Sequence, residues 1–138
     1  MLAILDYGIG NIRSVANAVH YLGMDATVTN NADEIAASDG LILPGVGAFG
    51  AGMQRIADHG LRPLIDGYAA SGKPLLGICL GFQLLMRSSD ELGDVAGLGY
   101  IDADIRRLKV NAKIPHIGWN TVATPNGCTE PSDLMQGL

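Results

Sequence analysis

The sequence predicts an α/β fold: a doubly wound, mainly parallel sheet with helices on both faces. Three observations carry this. Short, almost uninterrupted apolar runs, such as Leu2-Ala3-Ile4-Leu5 and Leu41-Ile42-Leu43, read as strands buried on both faces. Between them lie segments whose apolar residues repeat at helical spacing. The chain is also rich in glycine, with 19 residues, many at strand ends where the loops of such folds need them.

The elements follow in order. Residues 2–7 form the first strand and Gly8-Ile9-Gly10-Asn11 its loop. Asn11 is placed to cap a helix whose apolar face is Ile12, Val15, Ala16, Val19 and Leu22, closed by Gly23. Residues 26–29 are a short second strand, and 33–37 a brief helix at most. Leu41-Ile42-Leu43 is the third strand, ended by Pro44. A glycine loop then leads into a helix reaching residue 58, and another helix covers 62–70. Leu75, Leu76 and Ile78 belong to the fourth strand, and Leu80, Leu84 and Leu85 open a helix behind it.

The pattern changes after residue 97. Ile101, Ala103 and Ile105 alternate with Asp102, Asp104 and Arg106, the period of a half-exposed antiparallel ribbon. Ile114-Pro115-His116-Ile117-Gly118-Trp119-Asn120 follows, then Thr121-Val122. Pro125-Asn126-Gly127 reads as a turn, and Ser132 as the cap of a final turn through Leu134 and Met135. With no internal repeat or linker, residues 1–138 are expected to form one domain.

Composition narrows the function classes. The chain has 138 residues, 48% of them apolar, and a net charge of −5. That suits one compact domain with a real core. The acidic balance and the lack of a basic cluster argue against nucleic-acid binding. The apolar runs are too short to span a bilayer. The apolar start has no basic residues before it and is interrupted by Asp6, so it reads as a strand and not as a signal peptide. Two cysteines, Cys79 and Cys128, make no disulfide framework, which points to a reducing, cytoplasmic setting. Neither they nor the histidines show metal-ligand spacing, and no metal or cofactor is implied.

The chemistry is expected at Cys79. Gly77-Ile78-Cys79-Leu80-Gly81 places a cysteine at a sharp strand-to-helix turn flanked by glycines. Only small residues fit where such a turn brings backbones together. The amino end of the next helix favours thiolate over thiol. The competing reading is a buried structural cysteine.

Residues 45–50 spell G-x-G-x-x-G, the pattern of a dinucleotide loop. Here it follows the third strand and not the first, Pro44 stiffens its entrance, and Asp66 falls inside a helix, away from any ribose. A loop with free N–H groups beside a nucleophile can instead hold an oxyanion. Together the two loops suggest acyl transfer. The Cys79 thiolate would attack an amide carbonyl while backbone N–H groups of Val46, Gly47 and Leu80 hold the negative charge.

Four motifs then carry a resemblance over essentially the whole chain. They are Asp6-Tyr7-Gly8-Ile9-Gly10-Asn11 with Arg13-Ser14-Val15, Pro44 through Gly50, Gly77 through Leu85, and Pro115 through Asn120. The chain resembles the class I (triad-type) glutamine amidotransferases, and within them the glutaminase subunits of imidazole glycerol phosphate synthase, of histidine biosynthesis. The resemblance implies a flavodoxin-like sheet. It implies that Cys79 forms a glutamyl thioester, that Gly45-Val46-Gly47 is the oxyanion strand, and that Gly45, Gln83 and Glu91 contact the glutamine. It further implies that Asn11, Pro115, His116, Gly118, Trp119 and Asn120 face a cyclase subunit. That partner would receive the ammonia and make imidazole glycerol phosphate and an aminoimidazole carboxamide ribotide. On the residues alone, Gln83 reads as an exposed helix polar residue, Glu91 as a solvated loop acid, and Trp119 as a core or rim residue.

One part of the family pattern is missing. The resemblance implies a base and an orienting acid in a His-x-Glu arrangement, and none occurs in this sequence. His20 sits in the first amphipathic helix, His59 ends a helix, and His116 belongs to the docking motif. The chain is therefore expected to be C-terminally truncated, poor at hydrolysing glutamine alone, and prone to self-association through an uncovered sheet edge. A catalytically dead docking or regulatory module for the cyclase is the alternative. A cysteine hydrolase on a similar sheet is a third reading, which the docking motifs count against.

Overall fold

The structure is a computed structural model and describes residues 1–121. Val122, the 125–127 turn, Cys128 and the Ser132 cap lie outside the described residues. The chain divides into two units, residues 1–107 and a second one from Leu108 onward.

The first unit is built on four parallel strands: β1 (Leu2–Leu5), β2 (Ala26–Thr29), β3 (Gly40–Leu43) and β4 (Leu75–Gly77). They lie in the order β2-β1-β3-β4. The chain winds one way from β1 to β2 and the other way from β3 to β4, so the winding reverses between β1 and β3. Loops leave such a point in opposite directions and open a crevice at the carboxyl ends of the strands.

Why the strands read as unbroken apolar runs is plain from their two faces. Ala3, Leu5, Leu41 and Leu43 point into one cluster, with Ile35, Ile56, Ile65 and Tyr68. These last come from α2 (Ala32–Ala37), α3 (Phe49–Asp58) and α4 (Arg62–Ala70). Ile4 and Ile42 point the other way, onto Val19 and the half-buried Ile12, Val15 and Ala16 of α1 (Ile12–Tyr21). Each fully buried aliphatic side chain contributes about 1.5–3 kcal/mol.

The expected helices form where their ends are signalled. Asn11 caps α1, its side chain accepting from Ser14 N at 3.4 Å. Asn31 caps α2 more fully, accepting from Asp33 N at 2.9 Å and Glu34 N at 3.2 Å. Proline at the start of α4 fits its first turn, where its missing N–H is not needed. Among the described residues, no helix is long and apolar enough to cross a membrane.

Behind β4, α5 (Leu80–Leu84) is only five residues long, and the chain passes straight into a second sheet. That sheet has the order β6-β5-β7, from β5 (Met86–Ser89), β6 (Val95–Ala96) and β7 (Ile101–Ile105). The expected strand at 101–105 is present, but its pairing corrects the expected antiparallel ribbon. β7 runs parallel to β5, with a register shift between Met86 and Ser88, and only β5–β6 is antiparallel. The reason is physical. Alternation reports that one face is exposed, not which way a partner runs, and the segment between β5 and β7 is long enough to return the chain in the same direction. Surface ion pairs follow the alternation: Arg87 meets Asp102 at 2.7 Å and Asp104 at 3.1 Å.

The second sheet is tied to α4. Arg62 binds Asp66 through Nε at 2.8 Å and donates to the Leu98 carbonyl at 2.9 Å. The Tyr100 hydroxyl donates to the same Asp66 at 2.5 Å. In the second unit, residues 108–121 contain no helix or strand, and Asn120 Nδ2 donates to His116 Nε2 at 2.7 Å.

The two caps differ in geometry and should differ in worth. Asn31→Ala is expected to cost about 1 kcal/mol and Asn11→Ala less than half of that. Urea unfolding midpoints of the two variants check the order.

Candidate functional site

The site grows from a clash that is avoided. A Cβ built on Gly81 would lie 1.8 Å from the Leu43 carbonyl oxygen. One on Gly77 would lie 2.4 Å from Phe82 Cα, and one on Gly45 would meet Gly81 N and the Tyr7 hydroxyl, each at 2.7 Å. Three backbones thus touch where no side chain fits: the end of β3, the end of β4 and the start of α5. Ile78 N also donates to the Leu43 carbonyl at 3.0 Å, which carries the β3–β4 ladder to the turn.

Cys79 is at the tip of that turn. Its φ is 55° and its ψ −116°, a backbone conformation that costs a non-glycine residue roughly 1–3 kcal/mol. It is exposed, which removes the competing reading of a buried structural cysteine. Because α5 has five residues, the electropositive group beside the cysteine is the local Leu80 N–H and not a long helix dipole. Among the described residues, the amides of Val46, Gly47 and Leu80 donate to no acceptor. Gly47 has φ 97°, a glycine conformation, and Val46 is exposed beside it.

Two residues hold this loop at its ends. The Tyr7 hydroxyl, fully buried, donates to the Pro44 carbonyl at 2.6 Å. Burial pushes the Tyr7 hydroxyl pKa up to about 12. At the other end, Ala48 offers α3 no side-chain cap, and Glu91 supplies one by accepting from Phe49 N at 2.7 Å. Glu91 N is itself held by Ser89 Oγ at 3.1 Å. Glu91 is therefore no free solvated acid: one carboxylate oxygen caps α3 beside the 45–47 loop. Gln83 is half-buried on α5.

Cys79, Gly45, Val46, Gly47, Leu80, Gln83 and Glu91 all lie in the first unit on the loops and short helix at the ends of β3, β4 and β5, with Asn11 at the end of the β1 loop. Pro115, His116, Gly118, Trp119 and Asn120 belong to the second unit. His59 Nδ1 meets the Arg55 carbonyl at 2.9 Å at the end of α3, and His20 is exposed on α1. No group of three or more His, Cys, Asp or Glu could hold a metal among the described residues. Sequence reasoning missed Tyr7 as part of the site. Its one signal was a polar aromatic ending a buried strand, whose hydroxyl would need a partner.

A family model, glutamine amidotransferase class-I, matches residues 3–138. The chain is similar to "Imidazole glycerol phosphate synthase subunit HisH" of Bacillus cereus (strain B4264), 54% identical over 120 residues, covering 87% of this chain and 57% of that protein. It is similar too to "Imidazole glycerol phosphate synthase subunit HisH 2" of Nitrobacter winogradskyi, 51% identical over 129 residues, covering 88% and 61%. The chain thus spans less than two thirds of the length of these relatives. A solved structure described as a glutamine amidotransferase shares the fold, with a TM-score of 0.67 at 20% identity over 82% of this chain and 59% of that one.

Two tests follow from this packing. Gly81→Ala forces β3 and the turn apart and is expected to cost on the order of 3 kcal/mol, read from its unfolding free energy. Tyr7 gives a pH signature. A raised native pKa means that its stability contribution is whole below the ordinary tyrosine value of about 10 and is lost as pH rises toward about 12. The wild type is expected to lose stability more steeply than Tyr7→Phe over that window, measured by urea unfolding at stepped pH.

Proposed function

The chain belongs to the class-I glutamine amidotransferase family, and from that premise we propose that it is the cysteine-bearing part of a glutaminase subunit of imidazole glycerol phosphate synthase. The observation that carries this reading is one arrangement. An exposed Cys79 stands at φ 55° on a strand-to-helix turn, next to a loop whose Val46 and Gly47 amides, with that of Leu80, are unengaged among the described residues.

The chemistry follows from those groups. The Cys79 thiolate attacks the side-chain amide carbonyl of glutamine. The carbonyl oxygen becomes an oxyanion held by the N–H groups of Val46, Gly47 and Leu80. A proton must reach the nitrogen before ammonia leaves, and a glutamyl thioester remains on Cys79. Water attacks the thioester carbonyl, the C–S bond breaks, and glutamate departs. Glu91 keeps one carboxylate oxygen beyond its bond to Phe49 N, suited to the α-ammonium of the substrate. Gln83 and Gly45 complete the glutamine contacts. The ammonia passes to a cyclase subunit, which docks on Asn11 and the Pro115–Asn120 motif. The setting is a reducing cytoplasm, where the thiol survives.

A second reading has its own support. No histidine among the described residues is hydrogen-bonded to Cys79, so a chain that docks the cyclase without turning over glutamine also fits.

Ammonia release from glutamine by the 138-residue chain, with and without the cyclase subunit and its nucleotide ligand, separates the two. The sequence holds no His-x-Glu, so release is expected about 100-fold or more below that of an enzyme with a positioned base. A glutamine-directed chloro-ketone is nevertheless expected to label Cys79, with glutamine protecting it and Cys79→Ala abolishing it. Cyclase binding without any labelling would favour the docking module, and neither binding nor labelling would sink both.

A further inference from the structure

We propose that Tyr7 is a positioning residue for the oxyanion loop, acting through its hydrogen bond to the Pro44 carbonyl. The inference deepens the amidotransferase reading and rests on it.

The loop cannot set its own shape. Gly45 and Gly47 lack the Cβ that would restrict rotation of the peptides between them, and Gly47 is at a positive φ. Its orientation must be imposed from the ends. One end is fixed at Phe49 N by Glu91. The other is fixed by Tyr7, whose hydroxyl meets the Pro44 carbonyl at 2.6 Å in a fully buried position. A trans peptide points its C=O and N–H in opposite directions. Holding the Pro44 oxygen toward Tyr7 therefore turns the Gly45 N–H away from it and sets the start of the loop.

The placement is built into the sheet. β1 and β3 are parallel neighbours with Ile4 opposite Ile42, and that register, continued beyond the strands, brings Tyr7 level with Gly45. The fit is close: a Cβ on Gly45 would meet the Tyr7 hydroxyl and Gly81 N together. Tyr7 thus touches the loop where the loop touches the cysteine turn. Its own ring is held in the main core cluster with Leu5, Leu43 and Phe49. Without the hydroxyl, a buried carbonyl loses its partner and the glycine loop is free to rotate away from the geometry an oxyanion needs.

The test compares two reactions of the same thiol in the full 138-residue chain. In the first, Cys79 attacks the γ-p-nitrophenyl ester of glutamate. The C–S bond forms through an oxyanion, the C–O bond breaks, and p-nitrophenolate leaves with the electron pair. No acid is needed, so the first turnover is visible without a catalytic histidine. In the second, iodoacetamide alkylates Cys79, forming C–S and releasing iodide with no oxyanion on the way. Tyr7→Phe is expected to slow the nitrophenolate burst at least tenfold while alkylation stays within twofold. Equal slowing of both reactions, or no slowing of either, would overturn the proposal. If the wild-type burst is no faster than that of free cysteine at the same thiolate concentration, the amidotransferase reading fails and this inference falls with it. Should Tyr7→Phe not fold, as judged by circular dichroism, p-aminophenylalanine in place of Tyr7 keeps the ring and an N–H donor at the same reach. It is expected to retain more than a third of the wild-type burst, and a loss as large as tenfold with alkylation unchanged in that folded variant would count against the hydrogen bond.

Discussion

The Leu43 carbonyl is the point on which the rest of this structure turns. It accepts the Ile78 N–H at 3.0 Å and at the same place leaves room only for the bare Cα of Gly81. These two contacts fix the exit of β4 and the entry of α5 against the end of β3. Between Ile78 and Gly81 only Cys79 and Leu80 are left to reverse the chain's course, and Cys79 takes the positive φ. Its φ of 55° is the consequence of anchors on both sides and no free parameter of the cysteine. The strain, of roughly 1–3 kcal/mol, persists because the packing around it over-determines the backbone. Leu80 and Leu84, both buried in the main cluster, hold the far side of the turn.

The second sheet matters because of what it brings back to that point. β5 and the turn after it deliver Ser89 and Glu91, and Glu91 reaches Phe49 N at the start of α3. The sheet is kept in place by Arg62 and Tyr100, which converge on Asp66 of α4. The Cys79 turn, a glycine loop and an acid from separate parts of the chain are thus connected through α3 and α4, each link being a hydrogen bond or a close backbone contact. Rigid helices supply the precision that the glycines give up.

Most of the main sheet was legible in the sequence because the signals there are local. An apolar run stopped by Pro44 gives β3, a capping asparagine and a closing glycine bound α1, and the glycines beside Cys79 announce a turn too tight for side chains. What was not legible depends on register through space. Nothing in residues 101–105 says whether their partner runs with them or against them. Glu91 looks like a solvated acid until α3 is seen to lack a cap of its own. Tyr7 looks like the last residue of a strand until β1 and β3 are aligned and its hydroxyl is found on Pro44. For Pro115 through Asn120 the docking role is implied by resemblance alone, since an exposed loop of mixed polarity carries no physical signal of a partner.

The fate of the G-x-G-x-x-G loop shows how a local motif is decided by its surroundings. In a dinucleotide site, the glycines let the pyrophosphate approach the amino end of the following helix, whose free N–H groups receive it. Here the following helix is α3, and its Phe49 N–H already has a carboxylate, that of Glu91, at 2.7 Å. A phosphate arriving there would meet a fixed negative charge and would have to displace it. The glycines also serve a different neighbour, since Gly45 is bare so that Gly81 N and the Tyr7 hydroxyl can come close. The amides of Val46 and Gly47 donate to no acceptor among the described residues, on a loop that meets the cysteine turn at Gly45. With the Phe49 N–H held by a carboxylate and Gly45 packed bare against Gly81 N and the Tyr7 hydroxyl, the six residues that spell a nucleotide motif do not form the open cradle that a diphosphate needs.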